Sequence, residues 1–517
     1  MITLNGNTLT IHEVVRVARH HEPVQLSPQA RARVEQAHGW VQTIIAANQP
    51  VYGINTGFGI FADRRISNAD SARLSRNLIL SHAVATGAPL PADVVRAAML
   101  IRANTLCIGH SGVRPELIET LLAMLNRNLT PLIPSQGSLG SSGDLALLSH
   151  LALVFTTDEA DLDEESGYAQ WSGKTLSGKA AMHAAGIPRL ILGPKEGLAT
   201  NNGATFSAAM AALNVYDAAH LMELAEVTLA MSLEALTGVS AAFDERLHAA
   251  RRHPGQIETA RCVRRLTHGS SLLDAAGRVQ DAYSLRCAPQ VHGAARDTLD
   301  FVRTVVEREI NAATDNPLLF EGGDAISGGN FHGEPVGLAM DYLGIALSEV
   351  AAICERRIFR LTDSKLSNGL PPMLVDTPEA AGLNSGMMMP QYTAASLVLE
   401  NQTLAHPDSV HSLPTSAEQE DHNANSMTAA RHTHQIAANA LHVVAIEAYC
   451  AARALDLRLR LNPEGQMGLG VSAAYQQIRA RVPYRAGDAW WGPEIEAVRA
   501  LLEDESFLKK VESALDA

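Results

Sequence analysis

ATFSAAMAALNVYDAAHLMELAEVTLAMSLEALT, residues 204–237, runs between Gly203 and Gly238 with neither glycine nor proline inside it. Ala, Leu, Met and Glu dominate the stretch, and all four hold a helix well. The residues are mostly apolar around the whole helical circumference, which predicts a long buried helix stopped at each end by a glycine. Comparable patterns run from about Ala294 to Ala313, from Val336 to Leu361 and from Ser426 to Leu461, the last unbroken until Pro463. Patterns of this length in a chain without internal repeats predict a bundle of long helices. Abundant alanine and only 4% aromatic residues suit close helix–helix packing.

The expected fold class is therefore mainly α: a long central helix bundle over 204–462, a smaller loop-rich N-terminal part over 1–203, and a C-terminal helical segment over 463–517. Residues 1–10 alternate around Asn5-Gly6, the dipeptide that most favours a tight turn, and predict a small β-hairpin. The acidic, polar stretch Asp158–Gly173 reads as a surface excursion.

Bulk properties narrow the function. The 517 residues are 46% hydrophobic and 19% charged, as in a globular protein. A net charge of −14 argues against a general binder of nucleic acid or anionic membrane. Cys107, Cys262, Cys287, Cys354 and Cys450 are odd in number and scattered, which fits neither a disulfide framework nor a zinc site. No basic stretch followed by an apolar one opens the chain, and no uninterrupted apolar run reaches about 18 residues. A cytoplasmic protein without metal, nucleic-acid or membrane partners is expected.

Glycine and polar residues collect instead in islands between the helices: Tyr52–Gly59, Gly137–Asp144, Asn201–Gly203, Gln280–Arg286, Ser327–Phe331 and Ser416–His422. Loops on a rigid scaffold are where chemistry tends to sit. Ordinary motifs do not explain them. Gly137–Gly143 lacks the Lys-Ser/Thr ending of a phosphate-binding loop, and Gly173-Lys174-Thr175 has Gly167 one position too far upstream. His12, His20 and His21 lack the helical spacing of a metalloprotease. His432 and His434, two apart on a helix, point to different faces.

In their order along the chain, the islands resemble the histidine, phenylalanine and tyrosine ammonia-lyases. The resemblance is carried by Val51-Tyr52-Gly53-Ile54-Asn55-Thr56-Gly57-Phe58-Gly59, by Gly140-Ser141-Ser142-Gly143-Asp144-Leu145-Ala146 and by Lys195-Glu196-Gly197-Leu198-Ala199. It continues through Gln280–Cys287, Thr314-Asp315-Asn316-Pro317, Gly329-Asn330-Phe331 and Gln419-Glu420-Asp421-His422. It implies that Ser141-Ser142-Gly143 condense on themselves into 4-methylidene-imidazole-5-one (MIO). In that closure the Gly143 nitrogen attacks the Ser141 carbonyl and Ser142 loses its hydroxyl. The chemistry has a plain motive: ammonia is a poor leaving group, the β-proton is weakly acidic, and no standard side chain is a strong electrophile.

The resemblance also implies roles. Tyr52 is the general base for the β-proton, which requires positive charge or helix N-termini to depress a phenol's pKa. Arg286 pairs with the substrate carboxylate. Asn202 hydrogen-bonds at the MIO, Tyr283 and Gln280 flank the amino group, and Asn330 and Phe331 line the pocket. Ser81-His82 faces the substrate ring, and Glu420 is a carboxylate as in the histidine branch, so both suit an imidazole better than a phenyl ring. The implied assembly is a homotetramer with shared active sites, and the implied reaction is L-histidine to urocanate and ammonia.

Several residues depart from the family pattern. Ser141 stands where alanine is commoner, Leu147 where proline is usual and Asn201 where leucine is usual, and His422–Met427 is two residues longer. Asp281-Ala282-Tyr283 and Cys287-Ala288-Pro289 resemble the tyrosine branch. A tyrosine or phenylalanine lyase, an aminomutase, a lyase for a modified histidine and a catalytically silent homologue are the alternatives.

Overall fold

At the N-terminus, strand β1 (Ile2–Leu4) pairs in parallel with β2 (Val24–Leu26), so the expected hairpin is not formed. The turn is present, with Gly6 at φ +86° and the Asn5 side chain accepting the N–H groups of Asn7 and Thr8. It leads into a helix, Ile11–Ala18, rather than back along β1. Thr10 and Glu13 close a capping box there, and the Leu9 N–H donates to Asn311 at 2.9 Å. The second arm of the hairpin is thus spent on a cap and on a distant asparagine. This computed structural model describes residues 1–47, 50–57, 59–61, 63–67 and 70–516.

Nineteen α-helices occur among the described residues, and their strands are at most four residues long. The fold is mainly α, as expected. The stretch quoted at the outset forms the helix Thr205–Ala235, in which only Glu223 is exposed. A helix that is apolar all round has no solvent face to spare. The helix Ser426–Leu461 has the expected bounds.

Two other long helices begin earlier than expected. One spans Ala288–Glu309 and so contains Gly293, which reads as a breaker in sequence. A Cβ at Gly293 would lie 2.3 Å from the backbone nitrogen of Gln256, so this glycine serves a close backbone approach and not a helix end. The other spans Glu334–Thr362 and includes Pro335, which is tolerated in a first turn whose N–H groups lack partners anyway. Among the described residues, Glu334–Thr362 is the helix long and apolar enough to cross a membrane, and 72% of its apolar window is buried in the fold. The acidic excursion ends in a hairpin whose first strand, Tyr168–Trp171, lies within it and whose second, Lys174–Ser177, directly follows it.

The described chain divides into two compact units that interleave in sequence. One comprises Met1–Tyr216, Val302–Asp341 and Pro407–Arg431; the other comprises Asp217–Phe301, Tyr342–His406 and His432–Ala517. In the second unit Arg357 and Glu447 form a fully buried ion pair, and the carboxylate also accepts from Thr228 at 2.9 Å and Ser232 at 2.7 Å. Glu447→Gln would leave the Arg357 guanidinium buried without its counter-charge. We expect a loss of about 3–5 kcal/mol in chemical denaturation; a loss below about 1 kcal/mol would mean that water reaches the arginine.

Candidate active site

Five of the six polar islands meet in the first unit around one cavity of about 1230 Å³. Its lining includes Tyr52, Ser81, His82, Ser141, Ser142 and Asn202, and, from the later segments, Phe331 and Glu420. Gln280, Tyr283 and Arg286 belong to the second unit and are not in this lining. Their loop is open to solvent: Tyr283 is 70% exposed and neighbouring Val279 97%. Arg286 stacks on the Tyr283 ring at 4.6 Å and donates to the Asp281 carbonyl.

The Ser141–Gly143 loop is held from several sides. Gly140 (φ +72°) and Gly143 (φ +76°) adopt left-handed backbone that favours glycine. The Leu139 carbonyl accepts the N–H groups of Ala424 and Asn425, and the Gly140 carbonyl accepts that of Gly333. These bonds bring the 327–333 and 416–426 segments onto the loop. At its far end Asp144 receives the Ser138 hydroxyl at 2.7 Å and the Ser207 N–H at 2.9 Å. Burial pushes the Asp144 carboxyl up, while these donors pull it back.

Asn202 follows the short helix Glu196–Asn201 and donates its Nδ2 to the Ser142 carbonyl at 2.9 Å. The neighbouring Asn201 is fully buried and turned the other way, donating to Ser149 at 3.2 Å. It therefore adds no polar group to the cavity lining. Beneath this helix Lys195 and Asp315 form a fully buried ion pair, with Ser111 donating to Asp315 at 2.9 Å. Two of the quoted motifs are thereby tied together as scaffold. Asn316 extends the tie, accepting the Gly328 N–H at 2.7 Å and donating to Ser327.

Tyr52 sits on a loop anchored by Ile54, which packs with Val41, Ile44 and Leu319. Its hydroxyl accepts the Gly59 N–H at 3.5 Å. Burial pushes this phenol above its ordinary pKa, the Glu420 carboxylate adds to the rise, and the Gly59 N–H opposes it. Phe58, in the same motif, lies outside the described residues. Ser81 and His82 end the helix Ser71–His82, with the Ser81 hydroxyl 2.9 Å from His82 Nδ1. Burial lowers the imidazole's pKa, so the ring is neutral near pH 7.

Glu420 reaches the triad itself. Its Oε2 accepts the Ser141 hydroxyl at 2.9 Å and its Oε1 the Ser142 hydroxyl at 2.8 Å. Phe331 is half-buried in the lining; Asn330 is exposed, outside the lining, and donates to the Ala313 carbonyl at 3.3 Å. Sequence reasoning passed over the histidine pair His332 and His422, which line the cavity with rings stacked at 5.9 Å. His422 ends a quoted motif and His332 directly follows another, and that placement was the available signal. Among the described residues no cluster of three or more His, Cys, Asp or Glu could hold a metal ion.

With the geometry in place, the relatives can be compared. A family model described as aromatic amino acid lyase matches residues 9–480. The histidine ammonia-lyase of Caldanaerobacter subterraneus subsp. tengcongensis is 49% identical over 484 residues, covering 93% of this chain and 92% of that protein. The solved histidine ammonia-lyase of Trypanosoma cruzi superposes with a TM-score of 0.90 at 36% identity, over 99% of this chain and 95% of the other. The solved tyrosine aminomutase of Streptomyces globisporus gives 0.92 at 35% identity, over 100% and 99%. The chain belongs to the aromatic amino acid lyase family and is a carbon–nitrogen lyase.

Proposed function

We propose that this enzyme eliminates ammonia from L-histidine to give urocanate, using an MIO group made from its own Ser141-Ser142-Gly143. The loop fits that group. A Cβ on Gly143 would fall 2.0 Å from the Gly203 carbonyl carbon, so position 143 has room only for glycine. Asn202 already grips the Ser142 carbonyl, and its Oδ1 is buried without a hydrogen-bond partner. Once formed, MIO supplies the electrophile that takes up the substrate's amino group.

The observation that carries the histidine reading is a polar wall, His82 and Glu420, in the same cavity as the triad. Ser81 engages His82 Nδ1, which leaves Nε2 for a substrate imidazole. Glu420 offers a carboxylate to an imidazole N–H, and Tyr52 takes the β-proton. A phenyl ring would leave both polar groups unpaired. The solvent exposure of Gln280 and Tyr283 supports a shared site in which they and the half-buried Arg286 serve a neighbouring copy in a homotetramer. Five free cysteines support a reducing, cytoplasmic setting.

The test compares kcat/KM for histidine, tyrosine and phenylalanine. Histidine is expected to lead phenylalanine by about 10⁴-fold. Glu420→Gln should cut histidine turnover by roughly 10–100-fold, the size of a charge-assisted bond. A wild-type preference for tyrosine or phenylalanine, or a β-amino acid among the products, would move the enzyme to the aryl or aminomutase branch. Inactivity on all three would point to a modified histidine and to the longer His422–Met427 segment.

A further inference from the structure

We propose that the Ser141 hydroxyl is the positioning group that keeps Glu420 in place after Ser142 has given up its own hydroxyl. The inference rests on the MIO reading above and extends it to a residue whose side chain takes no part in the ring.

Before closure the Glu420 carboxylate is held at both oxygens, Oε1 by Ser142 and Oε2 by Ser141. Cyclisation joins the Gly143 nitrogen to the Ser141 carbonyl carbon and releases two waters, one of them carrying the Ser142 Oγ. Oε1 then loses the Ser142 hydroxyl and becomes available to a substrate N–H. The Ser141 Oγ is attached outside the atoms that form the ring, so its bond to Oε2 survives. One oxygen of the carboxylate is thereby kept for positioning and the other released for the ligand.

Little else could do this. The Glu420 backbone is pinned, because Thr415 and Glu420 exchange N–H···O bonds of 2.8 and 3.2 Å across a turn with positive φ at Ser416, Ala417 and Glu418. That fixes where the side chain starts, but its terminal torsions are free to wander. Among the described residues, the other side-chain donor to Oε2 is Thr415 Oγ1 at 3.5 Å, at the edge of a real hydrogen bond. With alanine at 141, that weak contact would be what is left to Oε2 among the described residues. Ser141 is itself only 7% exposed, so water competes poorly for its hydroxyl.

The experiment is a double-mutant cycle on the full-length enzyme: wild type, Ser141→Ala, Glu420→Ala and the double variant. Intact mass, kcat/KM for histidine and the Kd of urocanate are read for each. Ser141→Ala should still be two waters lighter than its sequence, with kcat/KM and urocanate affinity about tenfold lower. In the Glu420→Ala background the same substitution should cost less than about twofold, because its partner is gone. Urocanate binding carries the cycle if turnover of the Glu420→Ala chains is too slow to measure. An undiminished Ser141→Ala enzyme overturns the proposal, as does a loss fully retained without Glu420. So does a Ser141→Ala chain at its full sequence mass, since the hydroxyl would then serve ring closure. A wild type that keeps both waters or ignores histidine would sink the functional reading instead, and this inference with it.

Discussion

Ser142→Ala is expected to fold as the wild type does, to keep the full mass of its sequence, and to lose turnover by on the order of 10³-fold or more. The Ser142 hydroxyl faces the cavity, and its hydrogen bond runs to Glu420, not to the core. Removing it creates no large void and strands no buried partner, so the cost in stability should be within about 0.5 kcal/mol. What it removes is the oxygen that must leave as water for the electrophile to form. Electrospray mass and circular dichroism separate the two effects: native helicity with no mass deficit is the expected pair of results. A Ser142→Ala enzyme with near-normal turnover would end the MIO reading, and so would an active wild type at its full sequence mass.

Tyr52→Phe should leave substrate affinity nearly unchanged while kcat falls by about 10²–10⁴-fold, the usual effect of removing a general base. The pH dependence carries the sharper prediction. As the proposed base Tyr52 would act as the phenolate, and burial together with Glu420 lifts the phenol above its ordinary value. At pH 7 the phenolate is therefore a small fraction, and kcat/KM should climb by about tenfold per pH unit until another group limits it. The Phe variant should lose that slope. A slope unchanged in the variant would assign the proton transfer to a different group and leave Tyr52 a wall of the cavity. Arg64 brings a positive charge to the lining, and in the proposed shared site the half-buried Arg286 of a neighbouring copy would bring another.

Much of the site was legible because its residues travel in short motifs. Tyr52, Ser141, Ser142, Gly143 and Asn202 were recognised from their neighbours in sequence, and all but Gly143 line one cavity. Two kinds of residue were less legible. Lys195, Glu196 and Asp315 stood in the motifs without a role, and the structure makes them scaffold: Lys195 pairs with Asp315, and Glu196 with Arg114. His332 and His422 were passed over because a single histidine is uninformative until a second ring lies against it. Asn201, a departure from the family pattern beside Asn202, turns the other way, because consecutive residues at a helix end point in different directions.

By itself the sequence determined that long helices run close to 204–237 and 426–461, and which three residues would form the proposed electrophile. For those two helices the length follows from a local cause, an unbroken run without glycine or proline. The proposed ring closure likewise draws on three adjacent residues. Only the tertiary structure decided that β1 pairs with β2, that Gly293 lies inside a helix, and that Glu420 bridges the hydroxyls of Ser141 and Ser142. Each of these depends on a partner far along the chain, 279 positions away for Ser141 and Glu420. Local preference cannot choose among such partners; the packing of the folded chain does, by favouring the arrangement in which most buried polar groups find partners.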